Sequence, residues 1–187
     1  MSWAIYGRVV SISWLAFIAI WFLAALVAKP GARQTTSPAR ALMRMLLVVF
    51  AALGLRYGNL FPQVTFGGHR EAVALAGSVL CVVGLLFATW ARFTMGSSWG
   101  MPMTVGDETQ LVTKGPYALV RHPIYTGVAA MLIGTALVFV PGVLGAALLV
   151  PYFVVSAFRE ERDMLRLFPD VYPAYMQRTK RLVPFAW

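Results

Sequence analysis

Two short clusters hold the residues of this chain best suited to chemistry. The first is Gly115-Pro116-Tyr117-Ala118-Leu119-Val120-Arg121-His122-Pro123-Ile124-Tyr125-Thr126-Gly127, and the second is Arg159-Glu160-Glu161-Arg162. Gly115-Pro116 signals a turn, and Pro123 suits the first turn of a helix, where a missing N–H costs nothing. His122 then stands at that helix's amino end, beside unpaired N–H groups that attract an anion such as a carboxylate. Tyr117 and Tyr125 offer flat faces for a purine or a thioether, together with hydroxyl donors. Glu160 and Glu161 fall at the carboxyl end of a helix, where the macrodipole disfavours acids. One carboxylate there accepts hydrogen bonds from a ligand's hydroxyls or ammonium. The other, Glu161, is expected to pair with Arg121, Arg159 or Arg162 as a structural ion network. The bland alternative is an interfacial Tyr/Arg/His belt that only anchors a helix. Two clusters at matching ends of one hairpin argue instead for a single ligand site.

These clusters are set in an apolar chain. It is 59% hydrophobic and 12% charged, with a mean hydropathy of +0.72. Soluble domains lie nearer about 45–50% apolar and about 25% charged, so the chain reads as an all-α polytopic membrane protein, one domain over residues 1–187. Five apolar segments are expected as helices, at about 9–28, 41–60, 72–91, 124–140 and 143–158, with Pro141-Gly142 as the turn between the last two. The fourth and fifth reach only about 25 Å at 1.5 Å per residue, short of a hydrocarbon core of about 30 Å. They are therefore extended by their polar ends or set in a thinned or protein-lined region. A short connection makes them antiparallel, which brings His122 and Tyr125 close to Glu160.

The net charge of +9 does not call for nucleic acid, because the basic residues sit in short segments between apolar runs. Most of them follow the first segment, separate the third from the fourth, or occupy the tail. The positive-inside rule then places the carboxyl terminus and both polar clusters in the cytoplasm. After the fifth segment the tail reads as an amphipathic helix through Met164, Leu165, Leu167 and Phe168, broken by Pro169 and Pro173. The first apolar run reads as a retained helix rather than a cleaved signal. Cys81 is alone, so a disulfide framework is not expected. The only histidines, His69 and His122, fall on opposite expected sides, and no metal is expected.

At these residues the chain resembles the isoprenylcysteine carboxyl methyltransferase family. The shared pattern is Leu111-Val112-Thr113-x-Gly115-x-Tyr117, then Arg121-His122-Pro123-x-Tyr125-x-Gly127, then Glu160-Glu161 and an aromatic tail from Phe168 to Tyr172 and Tyr175, ending near Pro184-Phe185. The resemblance implies an integral-membrane enzyme that uses S-adenosyl-L-methionine, held within about residues 109–185 by Leu111, Val112, Tyr117, His122, Pro123, Tyr125 and Glu160. It also implies a lipophilic or prenylated acceptor entering from the bilayer, with carboxyl O-methylation as the reaction, in a prokaryotic inner membrane. Three departures leave the acceptor open to an isoprenoid-like or other lipophilic acid, a thiol or an amine. Thr109 stands where eukaryotic members often carry His, Ser156 where they carry an arginine implicated in substrate binding, and Pro169 in place of a usual glycine. Arg121, or another arginine of the cytoplasmic face, is the candidate for neutralising an acceptor carboxylate.

Two other classes compete. A membrane sterol or enone reductase would use NADPH, and would need more Lys and Arg near the pocket than Arg121 and Lys114 supply. A non-enzymatic small membrane subunit would need charges at mid-bilayer depth, which the first, third, fourth and fifth segments lack.

Overall fold

The computed structural model describes residues 4–27, 70–96, 111–184 and 186. Among them the protein is all-α: α1 (Ala4–Val27), α2 (Arg70–Met95), a 3-10 turn (Gly115–Ala118), α3 (Pro123–Val138), α4 (Val140–Leu167) and α5 (Tyr172–Arg178). α1, α2 and α4 are long and apolar enough to cross a membrane, and α3 is a shorter apolar helix. The expected helix at 41–60 lies outside the described residues. α1 turns Ile12, Leu15, Phe22 and Leu23 outward, and α2 turns out Leu86, Trp90 and Phe93. A helix apolar all round in this way is solvated by lipid.

α2 and α3 pack backbone to backbone. Along α2, Ala74, Gly77, Cys81, Gly84, Ala88 and Ala91 recur at intervals of three and four and are all buried. Against this stripe α3 sets Gly127, Met131 and Gly134. A Cβ added at Gly127 would lie 2.6 Å from the Gly84 carbonyl oxygen, and one at Gly134 would lie 2.5 Å from that of Gly77. Small residues are what let membrane helices close to this distance. The two contacts run in opposite order along the chain, so α2 and α3 are antiparallel.

α1 runs parallel to α2. Ser78 donates to the Tyr6 carbonyl (3.4 Å) near one end, and Arg92 to the Ala24 carbonyl (3.2 Å) near the other. The Trp14 indole N–H donates to Thr135 Oγ1 at 2.9 Å, tying α1 to α3. The carboxyl ends of α1, α2 and α4 therefore share one face with the amino end of α3.

Two expectations for the hairpin need correction. Pro141 and Gly142 are not the turn: they lie in the first turn of α4, where proline's missing N–H is harmless. The break is Phe139 alone, extended at φ −125° and ψ 133°. Its N–H closes α3 on the Thr135 carbonyl (2.8 Å), and its own carbonyl receives the N–H of Gly142 (2.9 Å). The expected stop of the fifth segment at 158 is also overturned. α4 runs for 28 residues, straight through the Arg159–Arg162 cluster to Leu167. At 1.5 Å per residue that is about 42 Å, so its last turns stand beyond a hydrocarbon core of about 30 Å. Leu, Met and Arg are good helix formers, and Phe168-Pro169 ends the run. α5 begins after Pro169 and carries Pro173 in its first turn.

Candidate functional site

α3 and α4 are antiparallel, and their polar ends meet. His122 is the residue before α3, with Pro123 in the first turn. Its imidazole lies parallel to the Tyr125 ring, with centroids 5.6 Å apart and an interplanar angle of 7°. Tyr125 in turn packs on Phe153 of α4 at 5.0 Å. The Tyr125 hydroxyl donates to Glu160 Oε1, and His122 Nδ1 lies 3.5 Å from Glu160 Oε2. The Glu160 side chain is 45% exposed, so this carboxylate opens outward while its neighbours are covered.

Glu161, one residue on, points elsewhere and is buried. Its Oε1 accepts from Arg121 Nε at 2.7 Å, and its Oε2 accepts from Arg181 Nε (2.9 Å) and Nη2 (2.7 Å). Oε1 also lies 3.5 Å from His122 Nε2, an atom with no well-formed hydrogen bond. Burial alone would lower the His122 pKa from 6.5. Hydrogen bonding and charge attraction from Glu160 and Glu161 outweigh it and raise the value, so the imidazolium form is favoured.

The chain's last described stretch straps this arrangement down. Val120 and Lys180 form a parallel bridge. The Arg121 N–H donates to the Lys180 carbonyl (2.8 Å), and the His122 N–H to that of Arg181 (3.1 Å). Arg121 Nη1 donates to the Met176 (3.2 Å) and Thr179 carbonyls. Thr126 Oγ1 donates to the Leu182 carbonyl at 2.6 Å. The Tyr175 hydroxyl donates to the Tyr117 carbonyl at 2.6 Å, its pKa pushed up to about 12 by burial against the opposing pull of Arg121 and Thr179.

His122, Tyr125 and Glu160 thus come together as the sequence suggests, with Pro123 buried beneath them. Tyr117 is buried in the 3-10 turn. Its pKa is raised by burial and by the charges of Tyr175 and Glu160, with Arg92 opposing. Leu111 and Val112 are half-buried in the stretch leading into that turn, outside the hydrogen-bonded group. Arg121 is held inside the protein by Glu161 and two carbonyls, its side chain only 7% exposed. Glu161 does form the expected ion network, but with Arg121 and Arg181 rather than Arg159 or Arg162. Arg181 was not singled out by the sequence, since in a basic tail it reads as one more charge at a membrane surface.

The sequence pattern of the isoprenylcysteine carboxyl methyltransferase (ICMT) family matches residues 76–166, a stretch that contains α3, Glu160 and Glu161. Over that stretch, just under half of its length, the chain is similar to the ICMT family. It is 38% identical over 69 residues to methanethiol S-methyltransferase 1 of Bradyrhizobium diazoefficiens, covering 37% of this chain and 24% of that protein. It is 30% identical over 118 residues to the protein-S-isoprenylcysteine O-methyltransferase of Rattus norvegicus, covering 60% and 42%. Against a probable protein-S-isoprenylcysteine O-methyltransferase of Oryza sativa subsp. indica the identity is 26% over 163 residues, covering 83% and 84%. The chain spans less than half the length of the first two. No solved structure matches it.

Proposed function

We propose that this ICMT-like protein is a membrane methyltransferase that uses S-adenosyl-L-methionine and acts on a lipophilic acceptor. The observation that carries this reading is the half-open Glu160 carboxylate, backed by the Tyr125 hydroxyl and the His122 imidazole. It offers acceptors to an ammonium or ribose hydroxyls, next to aromatic faces that suit an adenine. When bound, the cofactor supplies a methyl group already activated on a sulfonium. The residues assigned to hold it are Leu111, Val112, Tyr117, His122, Pro123, Tyr125 and Glu160. Their task is to position and to exclude water. A carboxylate acceptor is ionised at neutral pH, so no residue need remove a proton from it.

In this reading the acceptor is an isoprenylcysteine-like carboxylate entering from the bilayer, and the site faces the cytoplasm. A thiol acceptor is the second reading. It is favoured by the methanethiol-methylating relative and by Ser156, half-buried one turn before Glu160, where an arginine would mark a carboxylate site. The reductase reading finds no comparable support. The open side of the group presents a carboxylate, and Arg121 and Arg181 are both bonded to Glu161.

Calorimetry on detergent-solubilised protein tests the cofactor: S-adenosylhomocysteine is expected to bind, and NADPH is not. Tight NADPH binding without the sulfur nucleoside would overturn the reading. Radiolabelled S-adenosylmethionine incubated with membrane lipid extract, with the labelled product identified, tests the acceptor.

A further inference from the structure

We infer that Arg181 is a positioning residue for the cofactor site, acting from the carboxyl-terminal strap through Glu161 to fix the inner side of the His122 ring. This rests on reading His122, Tyr125 and Glu160 as that site. The imidazole lies between two carboxylates with different duties. Nδ1 faces Glu160, which opens outward. Nε2 faces Glu161, whose side chain is 5% exposed. A lone buried carboxylate beside an imidazole would rotate toward it or draw in water. Glu161 is kept from that rotation because both of its oxygens are held, Oε2 by the two donors of Arg181 and Oε1 by Arg121. A paired Arg donation fixes the plane of a carboxylate as well as its charge. Arg181 is itself fixed: its guanidinium lies 3.7 Å from the centre of the Phe158 ring, and its carbonyl receives the His122 N–H. One residue of the strap therefore holds the histidine twice, through the backbone directly and through Glu161 by charge.

His122 is faced by Glu160 and Glu161 on α4 and stacked on Tyr125 of α3; Arg121 and Arg181 reach it through Glu161, Tyr117 and Tyr172 lie within electrostatic range of these carboxylates, and Tyr175 within range of Arg121. Arg181 competes with the imidazolium for Glu161. Removing it leaves more of that carboxylate's field on His122.

The test is NMR titration of isotope-labelled histidine. The chain has two histidines, so a His69→Gln background reports His122 alone. His122 is expected to titrate above 6.5. Arg181→Gln is expected to move it further up and Glu161→Gln to move it down. Arg181→Lys keeps the charge but loses the paired grip, and is expected to give a smaller upward shift. Lys180→Gln, an equal loss of charge at an exposed neighbour, is expected to leave the titration in place. Arg181→Gln is also expected to weaken S-adenosylhomocysteine binding roughly tenfold, the effect of one charge-assisted hydrogen bond. If Arg181→Gln does not fold, Arg181→Lys decides. A titration unmoved by the Arg181 variants, or moved equally by Lys180→Gln, overturns the inference. Failure of the unaltered protein to bind the nucleoside would instead strike the cofactor reading, and the titration is read without any cofactor present.

Discussion

Where α2 meets α3, Gly77, Gly84, Gly127 and Gly134 let two backbones touch, and nothing charged takes part. Where the polar ends of α3 and α4 meet, the contact is made by long side chains, and nearly every one is charged or carries a hydroxyl. The first seam is held by shape. Its contacts are mostly backbone and small side chains. The second is held by satisfied charge around Glu161, with one carboxylate, Glu160, left open to the outside. A shape-held seam fixes the amino end of α3 rigidly, so that the charge-held seam beside it can present His122 and Tyr125 in one geometry. The two seams should therefore fail differently when altered.

The largest effect is expected at the glycine seam. Leu in place of Gly127 would drive its side chain into the Gly84 carbonyl and Ala88, with backbone on the far side that cannot yield. Overpacking in a core costs about 1–3 kcal/mol where side chains can shift, and more is expected here. Gly127→Leu should give no monodisperse helical protein by size-exclusion chromatography and circular dichroism. Ile133→Val, on the outward side of the same helix, should behave as wild type. Normal folding of Gly127→Leu would show that the two backbones do not touch.

Next in size is Glu161. Removing one partner of a buried ion pair costs about 3–5 kcal/mol, because the remaining charges are left uncompensated. Glu161→Gln leaves Arg121 and Arg181 facing a neutral amide, and a clearly lower thermal midpoint is expected. The folded fraction should still bind cofactor, less tightly than wild type. A melt unchanged from wild type would remove Glu161 from the structural role.

Much of the charge-held seam was legible in the sequence. His122, Tyr125 and Glu160 are costly residues in an apolar chain, and they fall at the two ends of one hairpin. The cofactor role of Glu160 came from the family resemblance, and the turn of about 100° between it and Glu161 sends the two carboxylates to different partners, although both also approach His122. Arg181 was not legible. A basic tail residue reads as positive-inside charge, and only the parallel pairing of Lys180 with Val120 brings it to Glu161. The glycine seam also escaped notice, since glycine serves turns, caps and close approaches alike, and 16 of them give no sign of which is which. Pro141-Gly142 misled for a related reason. Proline and glycine mark a turn, but proline also opens helices, and a single extended residue at Phe139 was enough to reverse the chain.

In the reading proposed here Glu160 serves the ligand while Glu161 serves the fold. The decisive measurement is calorimetric titration of S-adenosylhomocysteine into folded Glu160→Gln protein. Loss of a charge-assisted hydrogen bond costs about 1.5–3 kcal/mol, so affinity should fall by roughly 10- to 150-fold with the thermal midpoint close to wild type. Wild-type affinity in Glu160→Gln, with binding lost in Glu161→Gln instead, would contradict the assignment of the two carboxylates.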